Sequence, residues 1–249
     1  MRPTLNLVLE RIKNRHEKTS IKNELIKSFP GERFQGKIHY VEHHLAHLAS
    51  AFLVSPYDIA VTVSIDGFGD FASAAWGVGN GTVIDVEEKI CFPHSLGIFY
   101  MAMTQYLGFP NWGDEYKVMG LAPYGKPHYL PKMHDIVKLY NDGSFKLAME
   151  YFCHHREKIQ EWPGSAPHVN KIYTEHLEHL LGPARAKGDE LSQFYKDIAC
   201  SVQAMYEEAF FNLINRLHQK YGIDALTLAG GCAMNSVANG KIFDRSSFK

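Results

Sequence analysis

Long hydrophobic runs are missing from this sequence of 249 residues: no apolar stretch approaches the roughly 20 residues that a membrane-spanning helix needs. The opening segment, MRPTLNLVLERIKNRHEK, has neither the apolar core nor the small-residue cleavage site of a signal peptide. Both absences set the expectation of a cytoplasmic protein. Charge of one sign is lacking too. Lys and Arg number 26 against 27 Asp and Glu, so no bulk field draws the chain to nucleic acid or to an anionic membrane, and neither is expected as a partner. Cysteine is sparse, and Cys91, Cys153, Cys200 and Cys232 form no CxxC pair, which argues against a disulfide framework and a structural zinc site. Internal repeats and low-complexity tracts are absent. What remains is 45% hydrophobic and 21% charged, ordinary for a globular chain with a real core.

Histidine is the abundant exception, with fourteen residues, several clustered at His43-His44, at His154-His155 and from His168 to His179. Leu5 to about Lys27 reads as a mostly polar helix with an apolar stripe at Leu5, Leu9 and Ile12, followed by a turn at Pro30-Gly31. Lys37 to Val41 alternates as a short strand, and Leu45 to Phe52 reads as a helix ending before Pro56. Asp58 to Ile65, β-branched and apolar, predicts a buried strand that stops at Asp66-Gly67-Phe68-Gly69-Asp70. Two further strands, near Ala72 to Val78 and Thr82 to Ile90, are joined by Gly79-Asn80-Gly81, the chemistry of a tight hairpin. A helix follows the Pro93 to Gly97 loop and runs to Leu107. From about Asn141 to Gly188 the pattern weakens into insertion-like surface structure. Asp189 to Tyr221 predicts a long helix, and Ala225 to Ala229 a strand entering Gly230-Gly231, with another helix from near Asn235.

Several residues on this frame can do chemistry. His43 and His47 are four apart, so a helix sets both imidazoles on one face within reach of one metal ion, and Asp66 at the next strand end offers a carboxylate. His44, three residues from His47, competes with His43, and a hydrogen-bonded histidine pair fits the same spacing. A His/His/carboxylate set suits iron, zinc or manganese alike. In Asp66-Gly67-Phe68-Gly69-Asp70 the glycines permit close backbone approach to a ligand beside an acid, and a purely structural hairpin corner explains the same residues. Gly230-Gly231-Cys232-Ala233-Met234-Asn235 again joins strand to helix, where free amides favour anions; tight packing explains the glycines equally well. Glu115 and Lys117 place an acid and an ammonium one residue apart, as a catalytic pair or a surface ion pair. No base accompanies Cys232, so it is not read as a nucleophile.

Taken together, His43 to Phe52, Ser64 to Asp70, His94 to Tyr100, Gly113 to Ala122 and Gly230 to Asn235 resemble, in order, the O-carbamoyltransferases of nodulation-factor and antibiotic biosynthesis. That resemblance implies an α/β fold of the actin/Hsp70-like, ribonuclease H-like kind. It implies ATP and carbamoyl phosphate as co-substrates, carbamoyl adenylate as the intermediate, and a small-molecule hydroxyl, such as a sugar or antibiotic, as the acceptor. By position, His43, His47 and Asp66 are implied metal ligands, usually for iron. Asp66, Gly67, Gly69, Gly230, Gly231 and Asn235 are implied adenylate contacts, Glu115 and Lys117 catalytic candidates, and Arg11 a substrate contact.

Against the family pattern, a first glycine-rich hairpin, a later metal-binding Asp and the C-terminal adenylate-forming domain do not occur within residues 1–249. The expectation is therefore an incomplete, internal part of one actin-like domain. Residues 1–140 carry the metal motif, 141–188 are insertion-like, and 189–249 bring the helix and the Gly-Gly turn. Its isolated chain is expected not to make carbamoyl adenylate. Two alternatives stay open: a relative of the enzymes that install threonylcarbamoyl on transfer RNA, and a non-catalytic nucleotide-binding fragment.

Overall fold

The computed structural model describes residues 21–31, 34–157, 160–161 and 168–249. In chain order the elements begin with α1 (Ile21–Ser28), the described remainder of the polar helix expected from Leu5; the stripe at Leu5, Leu9 and Ile12 lies outside the described residues, as does Arg11. Then come α2 (His43–Phe52), β1 (Ile59–Gly69), β2 (Ala72–Asn80), β3 (Val83–Cys91), α3 (Leu96–Tyr106), α4 (Glu115–Leu121) and α5 (Leu130–Ile136). The hairpin β4 (Val137–Leu139) and β5 (Phe145–Leu147), the short pair β6 (Gln160–Glu161) and β7 (His168–Val169), and α6 (Glu175–Leu181) follow. The long helix α7 (Gln193–Tyr221), β8 (Leu226–Ala229), α8 (Ser236–Asn239) and α9 (Ile242–Arg245) complete the order.

The central sheet is mixed, in the order β3-β2-β1-β8, with β1 antiparallel to β2 and parallel to β8. This is an α/β fold. Ala60 to Ile65 of β1 are all buried because helices cover both faces. The period-2 alternation of a strand then sorts its side chains. Val61, Val63 and Ile65 join the main core with Phe99 and Met103 of α3 and Val202 and Met205 of α7. Ser64 turns the other way and meets His44 of α2. On that same side Phe52 of α2 lies over Gly79 of β2, where an added Cβ would come within 2.5 Å of the ring.

Three expectations change. Lys37 to Val41 forms no strand; Tyr40 and Val41 are exposed, so the alternation has no face to bury and no partner among the described strands. The strand expected to stop at Asp66 continues to Gly69. Its register slips there, because Ile65 pairs with Ala74 and Gly69 with Ala72, leaving Asp66, Gly67 and Phe68 opposite Ser73 alone, which is a β-bulge. The reversal falls instead at Asp70 and Phe71, both at positive φ (48° and 66°), as a two-residue hairpin turn requires. At the next hairpin Asn80 pairs with Val83, so Gly81 and Thr82 make the loop.

None of the described residues between 141 and 188 joins the central sheet, yet Phe145, Leu147, Phe152, Ile172, Leu177 and Leu181 are buried in the same core. Several short elements supply these side chains, so no single period marks them. The 29-residue α7, roughly 43 Å long at helical rise, runs through this core and ends at Gly222 in the left-handed conformation. Among the described residues, no helix is long and apolar enough to cross a membrane.

Candidate functional site

The N-terminus of α2 is pinned to the sheet by two acids. Glu42 caps it, its carboxylate accepting from the Leu45 amide at 2.7 Å while pairing with Lys89 of β3 at 2.9 Å. Asp70, from the β1–β2 turn, accepts from the His43 amide at 2.9 Å. The first turn of α2 therefore lies directly over the bulge of β1. Gly69 makes the approach possible: a Cβ there would stand 2.0 Å from the His43 ring.

All three histidines of α2 address β1, and they divide. His44 is fully buried and shares a 2.9 Å hydrogen bond between its Nδ1 and Ser64 Oγ. Burial pushes its pKa down. The Nε2 atoms of His43 and His47 both point to Oδ2 of Asp66, at 2.9 and 3.2 Å. Ligand atoms of these three residues lie within 4.8 Å of one another, and their side chains are 36%, 30% and 23% exposed, so the cluster is open to an incoming ion. Strand alternation separates His43 from His44: Ser64 takes His44, and Asp66, two residues on, takes His43 and His47.

Asp66 is held from the opposite side as well. Its Oδ1 accepts from the Gly67 amide at 2.8 Å and from the Gly231 amide at 3.2 Å. Burial alone would raise its pKa; the hydrogen bonds from His43, Gly67, Gly231 and His47 outweigh that and hold the carboxyl below the usual range. Gly230 lies at φ 91°, and a Cβ there would come within 2.3 Å of the Ile65 carbonyl. Of the glycines singled out in the sequence, Gly69 and Gly230 are therefore required by packing against His43 and Ile65. Gly231 presents an amide, and Gly67 has open space on its Cβ side.

Asn235 caps α8 by accepting from the Ala238 amide at 3.0 Å, and its amide also pairs reciprocally with Gln203 of α7. Glu115 and Lys117 do not form a pair. Lys117 binds Asp114 at 2.6 Å and lies 5.6 Å from the Phe109 ring centroid, whereas Glu115 is half-buried. Desolvation, with the charge of Asp114 behind it, raises the Glu115 pKa. The thiol of the half-buried Cys232 feels both Asp66 and Glu115; desolvation, then these two charges, push its pKa far up, which disfavours a nucleophilic thiolate.

Gln203 and Glu207 have a part in this arrangement from outside the motifs, and Asp114 and Ser95 have one from within them, although the motifs gave neither a role. Ser95 caps α3 through the Ile98 amide while donating to the Gly67 carbonyl at 2.7 Å. The signal for Gln203 and Glu207 was a polar pair at i, i+4 on the apolar side of a long helix.

Comparison with known proteins decides the family. The model of the carbamoyltransferase N-terminus matches residues 8–249. The chain belongs to the carbamoyltransferase family. The nodulation protein NolNO of Sinorhizobium fredii is 32% identical over 235 residues, covering 93% of this chain and 31% of that protein. NolO of Bradyrhizobium diazoefficiens is 34% identical over 205 residues, 81% of this chain and 33% of its own length. An uncharacterised protein of Synechocystis is 39% identical over 210 residues, 84% of this chain and 32% of the relative. This carbamoyltransferase segment thus spans about a third of the curated relatives it matches.

Proposed function

We propose that the protein to which this segment belongs transfers a carbamoyl group from carbamoyl phosphate, through ATP-derived carbamoyl adenylate, to a hydroxyl of a small molecule such as a sugar. The observation that carries this reading is the convergence of His43, His47 and Asp66 within 4.8 Å, inside a carbamoyltransferase N-terminal segment. Two imidazoles and a carboxylate suit a first-row divalent metal, iron being our assignment. When bound, such an ion neutralises charge on the departing phosphoryl oxygen or polarises the carbamoyl carbonyl.

The chain's own groups do the rest. The Gly231 and Gly67 amides orient Asp66 so that Oδ2 faces the histidines. Gly230, Gly231 and the cap at Asn235 form the strand-to-helix turn beside which we place the adenylate, in an actin-like arrangement of the sheet. Glu115, whose carboxyl burial makes easier to protonate than an ordinary glutamate, is assigned as the acid-base group toward the acceptor, with Lys117 as the second catalytic residue and Arg11 as a substrate contact. Alignment of the hydroxyl against an already activated mixed anhydride accounts for most of the rate gain.

The test is elemental analysis of mildly purified protein alongside His43→Ala and His47→Ala. Each variant is expected to lose the metal while retaining its melting temperature within a few degrees. Wild-type metal content in both would overturn the ligand assignment.

A further inference from the structure

Apart from His43, His47 and Asp66, a fully satisfied polar group in the interior is the side chain of Gln203, 4% exposed in the middle of α7. Its Oε1 accepts from the Tyr100 hydroxyl at 2.9 Å and from Asn235 Nδ2 at 3.0 Å. Its Nε2 donates to Asn235 Oδ1 and to Glu207 Oε1, each at 3.0 Å. Two donors and two acceptor sites are all engaged, the full capacity of an amide.

The sense of this pair is fixed from both ends. Glu207, with Lys241 at 2.7 Å on both its oxygens and Arg245 at 2.8 Å, is an acceptor, so the Gln203 atom facing it is the NH2. At the other end the Ala238 amide is an obligatory donor, so Oδ1 of Asn235 faces it. The turn between β8 and α8 is tied to α7 a second time by the Tyr206 hydroxyl, which donates to the Cys232 carbonyl at 2.6 Å. Within that turn sits the Gly231 amide that holds Asp66 Oδ1.

We propose that Gln203 is a positioning residue for the Asp66 centre: locked to Asn235, it sets the Gly230–Gly231 turn so that the Gly231 N–H engages Oδ1 and leaves Oδ2 to His43 and His47. Its effect on metal rests on the ligand reading given above; its effect on Gly231 does not.

Gln203→Glu keeps the shape and reverses one end, setting a carboxylate oxygen against Glu207 Oε1 and Asn235 Oδ1. Co2+ is the probe, titrated into the metal-free 249-residue chain and followed by its visible absorption, with hydrogen exchange at Gly231 read by NMR. Gln203→Glu is expected to weaken Co2+ binding about tenfold or more and to alter the spectrum, as loss of a residue supporting a metal ligand does. Gly231 exchange in the metal-free chain rises by a similar factor while the amides of β2 hold their rates. Gln219→Glu, the same charge change at an exposed position of α7, leaves both readings at wild type. Tyr100→Phe, which removes one bond to Gln203 and adds no charge, gives about a threefold loss and serves if Gln203→Glu does not fold. Wild-type Co2+ affinity and Gly231 exchange in a folded Gln203→Glu or Tyr100→Phe protein, even with a lowered melting temperature, would overturn the positioning role. If the wild-type chain takes no Co2+ at His43 and His47, the metal reading fails by itself, and Gly231 exchange still decides the role of Gln203.

Discussion

Gly69 shows how much of this site hangs on single atoms. Its missing side chain is the space occupied by the His43 ring, so Gly69→Ala forces either the ring or β1 to move. The expected cost is about 1–3 kcal/mol in urea unfolding, the range for overpacking a tight contact. Either movement shifts the His43 ring relative to Asp66, so under the metal reading proposed above divalent-ion affinity is expected to fall as well. Glu115 gives a second test. Its pKa is raised in the folded state by desolvation, so the native protein binds the proton more tightly than the unfolded chain does. The favourable contribution is therefore present below the unfolded pKa and lost as pH rises through the folded one. Glu115→Gln is accordingly expected to raise the melting temperature at pH 7 and to lose that advantage near pH 4, as thermal scans at both pH values show. A variant no more stable at pH 7 than wild type would mean that the carboxylate is well solvated.

Among the elements, α3 is the one that braces the bulge. Ser95 is fully buried; its hydroxyl caps the helix and donates to the Gly67 carbonyl, next to Asp66. Gly97, in the first turn, lies so close that a Cβ would stand 2.8 Å from Gly67 Cα. Ser95→Ala removes the cap and the bond to Gly67 together, for an expected loss of about 1–2 kcal/mol in denaturant unfolding. Faster hydrogen exchange at Gly67 than at the far end of β1 would show that the bulge has been released. The bulge was partly legible, since glycines inside a strand pattern mark such places. Which helix would face it was not, because β1 contacts α2, α3 and α7 alike.

At the level of the whole molecule, desolvated histidines tie stability to mild acid. His94 and His155 both have pKa values lowered by burial, with the charges of Lys146 and Arg156 adding to the effect. Nδ1 of His94 accepts from the Leu147 amide at 3.2 Å, a bond only the neutral ring can make. Since the unfolded chain binds these protons more tightly, their stabilisation is present above about pH 6.5, the ordinary histidine value, and lost as pH falls through the lower folded values. The melting temperature is expected to drop between pH 7 and pH 5, with a shallower slope in His94→Asn. A flat profile over that interval would contradict the desolvated, neutral state of these rings.

The sequence by itself determined the elements that rest on local rules. Period-2 and period-3.6 patterning placed β1, β2, β3, α3 and α7, and the ordered motifs pointed to the carboxylate and imidazoles as a group. It misplaced what depends on partners. Lys37 to Val41 alternates but meets no strand, and both hairpin turns sit elsewhere than their glycines implied because pairing register, a property of two strands, fixes them. Tertiary structure alone paired Asp66 with His43 and Ser64 with His44, through the alternation of these two residues beneath α2. It alone brought Gly231 to Asp66 across 165 residues. It also turned Gln203 and Glu207 from two polar interruptions on a helix into a network with Asn235. Such contacts follow from the three-dimensional meeting of distant segments, which no local periodicity encodes.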